Sequence, residues 1–178
     1  LSNVPHFWVA RLDTETGKID REYPYPGYRS SYVRVTNDGK SMYVTPAADD
    51  RLVKIDVESG KVQWSASVGV GPYGMTLNAD ESQVWVNDKG ETASMWGRTV
   101  TVIDAENGRI IDSLPSALQA DHIILSPNGE EMWVSSNGEG TFVFFDAASK
   151  RTHEENEQFL VGRGMSPLLV EKLDAIVA

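Results

Sequence analysis

The sequence predicts an all-β fold, a β-propeller of four-stranded antiparallel blades, on two observations. The first is a motif that recurs at residues 7–23, 50–66, 98–114 and 140–151. Each copy is an apolar, β-branched or aromatic run, then Asp, then a short polar turn. In the first three copies the turn carries Gly and a basic residue before a second apolar run. The shared aspartates Asp13, Asp56, Asp104 and Asp146 lie 43, 48 and 42 residues apart. The second observation is a set of strand–turn–strand segments between these copies, at 32–45, 74–87 and 122–135. Their alternation at period two marks half-buried strands, and the turns N-D-G-K, N-A-D-E and P-N-G-E join them as hairpins. One repeat is therefore two hairpins, which make one blade.

The spacing leaves no room for a crossover helix between strands, which excludes a parallel α/β sheet. A β-sandwich has similar turn spacing but no reason to repeat one motif at a fixed interval.

In chain order, residues 7–23 supply the last two strands of a blade. Residues 29–70 and 71–115 supply two whole blades, and 118–151 three strands of a fourth. The repeated Asp is expected to accept hydrogen bonds from the turn amides that follow it, and the Gly after it to supply a positive φ. The strands are too few for even a four-bladed ring. The expectation is an incomplete arc of about three to four blades at 1–151, followed by an acidic linker and a short C-terminal helix at 152–178. An open arc exposes apolar blade faces and unpaired strand edges, which invite aggregation. The arc reads either as a fragment of a longer chain or as one completed by another chain. The half-blade at its start favours the fragment.

Composition narrows the function. The 178 residues carry a formal net charge of −10, and such a surface repels phosphate backbones, so no nucleic-acid partner is expected. There is no cysteine. That excludes disulfides, thiolate zinc sites, cysteine nucleophiles and covalently attached c-type haem. No apolar run approaches the roughly 18 residues of a membrane span. Nothing matches a G-x-S-x-G elbow, a P-loop, a dinucleotide fingerprint or a zinc motif, and the only histidines are His6, His122 and His153.

The segments MYVT at 42–45, VWVN at 84–87 and MWVS at 132–135 resemble the signature of the YVTN-repeat β-propellers. LDTETGKI, IDVESGKV and IDAENGRI resemble the second half of that repeat, and GPYGMTLNADES its blade start. The resemblance covers roughly 7–151. It implies a superfamily that includes the quinoprotein amine dehydrogenase β-chain, the haem-binding propeller of cytochrome-type nitrite reductase, lactonase-like enzymes and surface-layer proteins. It also implies that sites form where the first strands of the blades line the channel entrance.

Three segments depart from the repeat. The insertion KGETASMWGR at 89–98 places Met95, Trp96 and Arg98 in a loop, where an exposed aromatic beside Arg makes a partner-binding anchor. The aligned blade starts are Ser31, Tyr73 and Asp121, followed by Tyr32, Gly74 and His122. This puts Asp121, His122 and Tyr73 at the channel mouth as ligand or cofactor candidates, with Arg29 and Arg34 in the equivalent region of another blade, able to hold an anion. Histidine there can bind a haem iron or shuttle protons; no metal site is expected. In the tail, Ser166 and Pro167 start a helix with Leu169, Leu173, Ile176 and Val177 at helical spacing. This G-M-S-P segment and its closing helix resemble the end of a class I c-type cytochrome, which would make Met165 an axial ligand. The chain departs from that family in having no C-x-x-C-H.

The expected function is a non-catalytic binding or docking module, a periplasmic or extracellular part of a larger redox protein or complex associated with a c-type cytochrome. For this chain alone catalysis is left open and weighed against. No cofactor is expected in the chain itself, with haem in the intact protein or a partner. The alternatives are the propeller of a haem-dependent oxidoreductase with its site at the channel mouth and, behind it, a lactonase-like metal-dependent hydrolase.

Overall fold

The computed structural model describes residues 8–24, 26–90 and 95–152. They form strands β1 (Trp8–Leu12), β2 (Ile19–Pro24), β3 (Ser30–Val35), β4 (Ser41–Pro46), β5 (Arg51–Asp56), β6 (Val62–Ser67), β7 (Pro72–Leu77), β8 (Gln83–Asp88), β9 (Thr99–Asp104), β10 (Ile110–Pro115), β11 (Ala120–Leu125), β12 (Glu131–Ser136) and β13 (Thr141–Asp146). A single 3₁₀ turn, Ala47–Asp49, lies between β4 and β5. The strands make four sheets in sequential order: β1-β2, β3-β4-β5-β6, β7-β8-β9-β10 and β11-β12-β13. Every pairing is antiparallel.

This is the expected arc of a β-propeller. Blade 1 contributes its two outer strands, blades 2 and 3 are whole, and blade 4 contributes three strands. The linker and helix expected at 152–178, with Met165, lie outside the described residues beyond Thr152.

Why the motif folds this way is visible at the aspartates. Oδ1 of Asp13 accepts from the amides of Glu15 and Thr16, that of Asp56 from Ser59, that of Asp104 from Glu106 and Asn107, and that of Asp146 from Ala148 and Ser149. These amide bonds hold the carboxyls of Asp13 and Asp104 below the usual carboxylate range, and that of Asp56 is held down by the Ser59 hydroxyl first and the Ser59 amide second. Gly17, Gly60 and Gly108 supply the positive φ of 66°, 72° and 76° that closes each turn.

The core lies between blades. Tyr43 and Leu52 of blade 2 pack on Met75, Leu77, Val84 and Val86 of blade 3. Trp85, Val100 and Val102 of blade 3 pack on Ile123, Met132, Val134 and Phe145 of blade 4. Alternation along β8 sets this: Val84 and Val86 face one neighbour and Trp85 the other. The inner strands β3, β7 and β11 stand side by side along one edge of the arc.

Candidate site at the channel mouth

The inner strands all start at the same end of the arc, and a repeated backbone contact builds that end. Arg29, Gly71 and Gln119, just ahead of β3, β7 and β11, adopt left-handed backbone with φ of 53°, 55° and 56°. Their carbonyls accept from the amides of Ala47, Lys89 and Asn137, each just past the second strand of its blade, at 3.1, 3.1 and 3.2 Å. At position 71 glycine is required, because a Cβ would lie 2.8 Å from Gly90 Cα. Arg29 and Gln119 hold the same conformation at a cost of about 1 kcal/mol each.

On this frame, Lys89 and Asn137 converge on Asp121. Lys89 Nζ lies 2.9 Å from Asp121 Oδ1 and 4.3 Å from the centre of the Tyr73 ring. Asn137 Nδ2 donates to Asp121 Oδ2 at 2.6 Å. Asp121 and Lys89 are both buried. The rings of Tyr32, Tyr73 and His122, one from each inner strand, touch each other at centroid separations of 6.5, 5.5 and 6.2 Å. The His122 amide donates to Ser135 Oγ at 3.2 Å, while its Nε2 stands 3.9 Å from Asp121 Oδ2, too far for a hydrogen bond. The imidazole is more than half exposed and available to a ligand in the channel.

Asp121, His122 and Tyr73 are thus brought together as the blade alignment expects. Arg29 stands just ahead of β3 at the same end, and Arg34 follows Tyr32 by two residues on β3. Both are exposed, and neither forms an ion pair or side-chain hydrogen bond among the described residues. That spacing puts Arg34 about 7 Å along β3 from Tyr32.

Sequence reasoning missed Lys89 and Asn137 as partners of Asp121, and two buried polar residues at the end of β8. Asn87 is fully buried, and among the described residues neither its Oδ1 nor its Nδ2 has a hydrogen-bond partner. It shares a register position with Thr45, whose hydroxyl donates to the Tyr73 carbonyl. The signal available was the last residue of the MYVT, VWVN and MWVS segments, which varies in polar chemistry from blade to blade.

Asp88, also fully buried, accepts from the hydroxyls of Thr99 and Thr101 at 2.6 and 3.0 Å. Burial raises its carboxyl to about 6, the threonine hydroxyls acting in the opposite direction. A raised folded value means that the folded chain holds this proton more tightly than the unfolded chain. Its stabilising contribution is complete below about pH 4 and is lost as pH rises through about 6. Asp88→Asn is therefore expected to stabilise the intact protein at pH 8 by about 1–3 kcal/mol, give no gain at pH 4, and flatten the slope between them. Urea unfolding at both pH values measures this, and an unchanged slope would refute it.

The insertion starts from the same place. Gly97 N donates to the Lys89 carbonyl at 3.1 Å, Gln119 N to Gly97 at 2.8 Å, Ser116 N to Arg98 at 2.7 Å and Gly90 N to Gly71 at 3.2 Å. Arg98 Nη2 pairs with Glu139 of blade 4 at 2.9 Å, with both side chains partly exposed. Above this stitched base Met95 and Trp96 are 61% and 55% exposed, so the indole is not folded back onto its own blade.

No family model matches the chain. Over 131 residues, 73% of the chain, it is 23% identical to a seven-bladed beta-propeller protein of Mycobacterium tuberculosis, of which it spans 32%. Its fold is similar to a chain of the hydrazine synthase of Kuenenia stuttgartiensis, with a TM-score of 0.73 at 24% identity over 83% of this chain and 42% of that one. It is also similar to a functionally unknown protein from Desulfotomaculum acetoxidans, with a TM-score of 0.66 at 14% identity over 82% and 47%. The chain thus spans about a third of its curated relative and under half of either solved chain. Together the sheets and these likenesses make it an arc of a β-propeller.

Proposed function

We propose that the arc is a docking module of a larger redox protein or complex, of the YVTN-repeat group and extracytoplasmic, and that its partner seats on Trp96. The observation that carries this reading is the pair Met95 and Trp96, held out in solvent on a base fixed by four backbone hydrogen bonds. A rigid aromatic anchor loses little entropy on binding, which is the usual chemistry of an interface hot spot. The likeness to a chain of a hydrazine synthase supports a redox setting. The net charge of −10 supports a basic partner, a c-type cytochrome among the candidates.

The test uses the intact protein with the partner that co-purifies with it. Trp96→Ala is expected to weaken that association about 10- to 100-fold without changing the melting temperature. Affinity is expected to fall steeply with salt. Unchanged affinity in the variant, or affinity independent of salt, would sink the reading.

The exposed His122 imidazole between two tyrosine rings favours a second reading, a haem-type cofactor over the channel mouth. On that reading the purified intact protein absorbs visible light and His122→Ala alters the band; a colourless protein dismisses it.

A further inference from the structure

The inner strands carry a repeated irregularity at the mouth. On β7, Tyr73 and Gly74 stand between the pairs Pro72–Asp88 and Met75–Val86, so two residues face Asn87 alone. On β11, Asp121 and His122 face Ser135 alone in the same way, and on β3 the extra residue is Ser31, beside Thr45. Each bulge withdraws main-chain groups from the ladder. The polar residue opposite is one place where such groups find partners. Ser135 Oγ accepts from the His122 amide of its own blade at 3.2 Å. Thr45 Oγ1 reaches the next blade and donates to the Tyr73 carbonyl at 3.0 Å. Asn87 does neither. It is 0% exposed, and both polar atoms of its carboxamide are unpartnered among the described residues.

The register shows which way that carboxamide faces. Asn87 pairs with Val100 and Val100 with Leu114, so the three share one face of the sheet. Val100 and Leu114 pack on Ala120 and Ile123 of blade 4. Asn87 therefore lies in the seam between blades 3 and 4, as Thr45 lies in the seam between blades 2 and 3. Thr45 meets the Tyr73 carbonyl, whose counterpart in blade 4 is the Asp121 carbonyl. Trp85, two residues earlier on the same face, is also buried with its Nε1 unpartnered among the described residues. Buried amides without a partner are rare, and ordered internal water commonly satisfies them, making about three hydrogen bonds. On Asn87 a donor and an acceptor are both unmatched. Water answers both, whereas a metal cation would answer only Oδ1.

We infer that Asn87 anchors an internal water site in the seam between blades 3 and 4, where ordered water links its carboxamide to the Asp121 carbonyl at the β11 bulge. Asn87 is then a positioning residue for the mouth, because that bulge sets where Asp121 and His122 stand.

The test is the crystal structure of the intact protein and of its Asn87→Thr and Asn87→Leu variants, with a thallium soak of the unaltered protein, read beside the His122 ring resonances in solution. The unaltered protein is expected to hold water within hydrogen-bond distance of both Asn87 and the Asp121 carbonyl. Threonine is expected to donate directly to that carbonyl, as at position 45, so the water is lost and the His122 resonances stay in place. Leucine is expected to expel the water and leave the carbonyl unpaired, so the resonances shift. If the leucine protein does not fold, the threonine variant decides alone. A dry seam, a direct bond from Asn87 to the main chain, a thallium peak in place of water, water retained beside threonine, or unmoved resonances with leucine would each overturn the inference.

Discussion

Lys89→Met is expected to destabilise the intact protein by about 3–5 kcal/mol, one of the two largest effects of a single substitution at the mouth. Asp121 is buried, and its charge is balanced by the Lys89 ammonium at 2.9 Å. Asn137 donates one hydrogen bond to the carboxylate but brings no charge. His122 is too distant to replace the ammonium. Methionine keeps the length and apolar stem of lysine, so the loss reports the stranded carboxylate rather than a cavity. The double variant Lys89→Met with Asp121→Leu is expected to recover most of the loss, because desolvating two charges offsets much of their attraction. Denaturant unfolding of the four proteins in the cycle measures this. A single-variant loss below about 1 kcal/mol would show that the pair is effectively solvated.

Gly74→Ala is expected to cost about 2–4 kcal/mol and to disturb the mouth as well. The backbone at Gly74 is not left-handed, so the cost comes from contact and not from φ. A Cβ there would strike the Asp121 carbonyl and stand 2.9 Å from His122 Cα, both backbone of the next blade. Neither can rotate away. Relief requires β7 and β11 to separate, which pulls Tyr73 from His122, now at 5.5 Å. Unfolding measurements give the cost, and a shift in the His122 ring resonances gives the separation. A stable variant with unmoved resonances would mean that the methyl is accommodated without separating the blades, and would refute the clash.

Most of the fold was legible because the motif repeats and each copy closes on itself. An Asp whose carboxylate binds the next amides, followed by a left-handed Gly, is a local device that needs no distant partner. The thirteen strands and their division among blades follow from it. The mouth was legible only in part. Asp121, His122 and Tyr73 fall at aligned blade starts, so the period alone brings them together. Lys89 read as the first residue of an insertion. Its role depends on a contact between blades, made where its backbone repeats the positions of Ala47 and Asn137 while its side chain does not. Arg29 and Gln119 gave no sign of left-handed backbone, since at this position only blade 3 has the glycine that usually marks it. Arg34 lies two residues past Tyr32 on β3, in the region of the blade where the alignment places it.

The contact that ties Arg29 to Ala47, Gly71 to Lys89 and Gln119 to Asn137 uses main-chain atoms only. The backbone therefore sets the socket, and the demand on its occupant comes from what the side chain faces, as Lys89 faces Asp121. A methyl, an ammonium and a carboxamide sit in three copies of one seat, arrayed around a common opening. The three seats share one backbone geometry with three different side chains. Duplication of this repeat thus copies a seat whose side chain is free to differ from blade to blade, and Lys89 and Asn137 show two such seats coupled through one carboxylate.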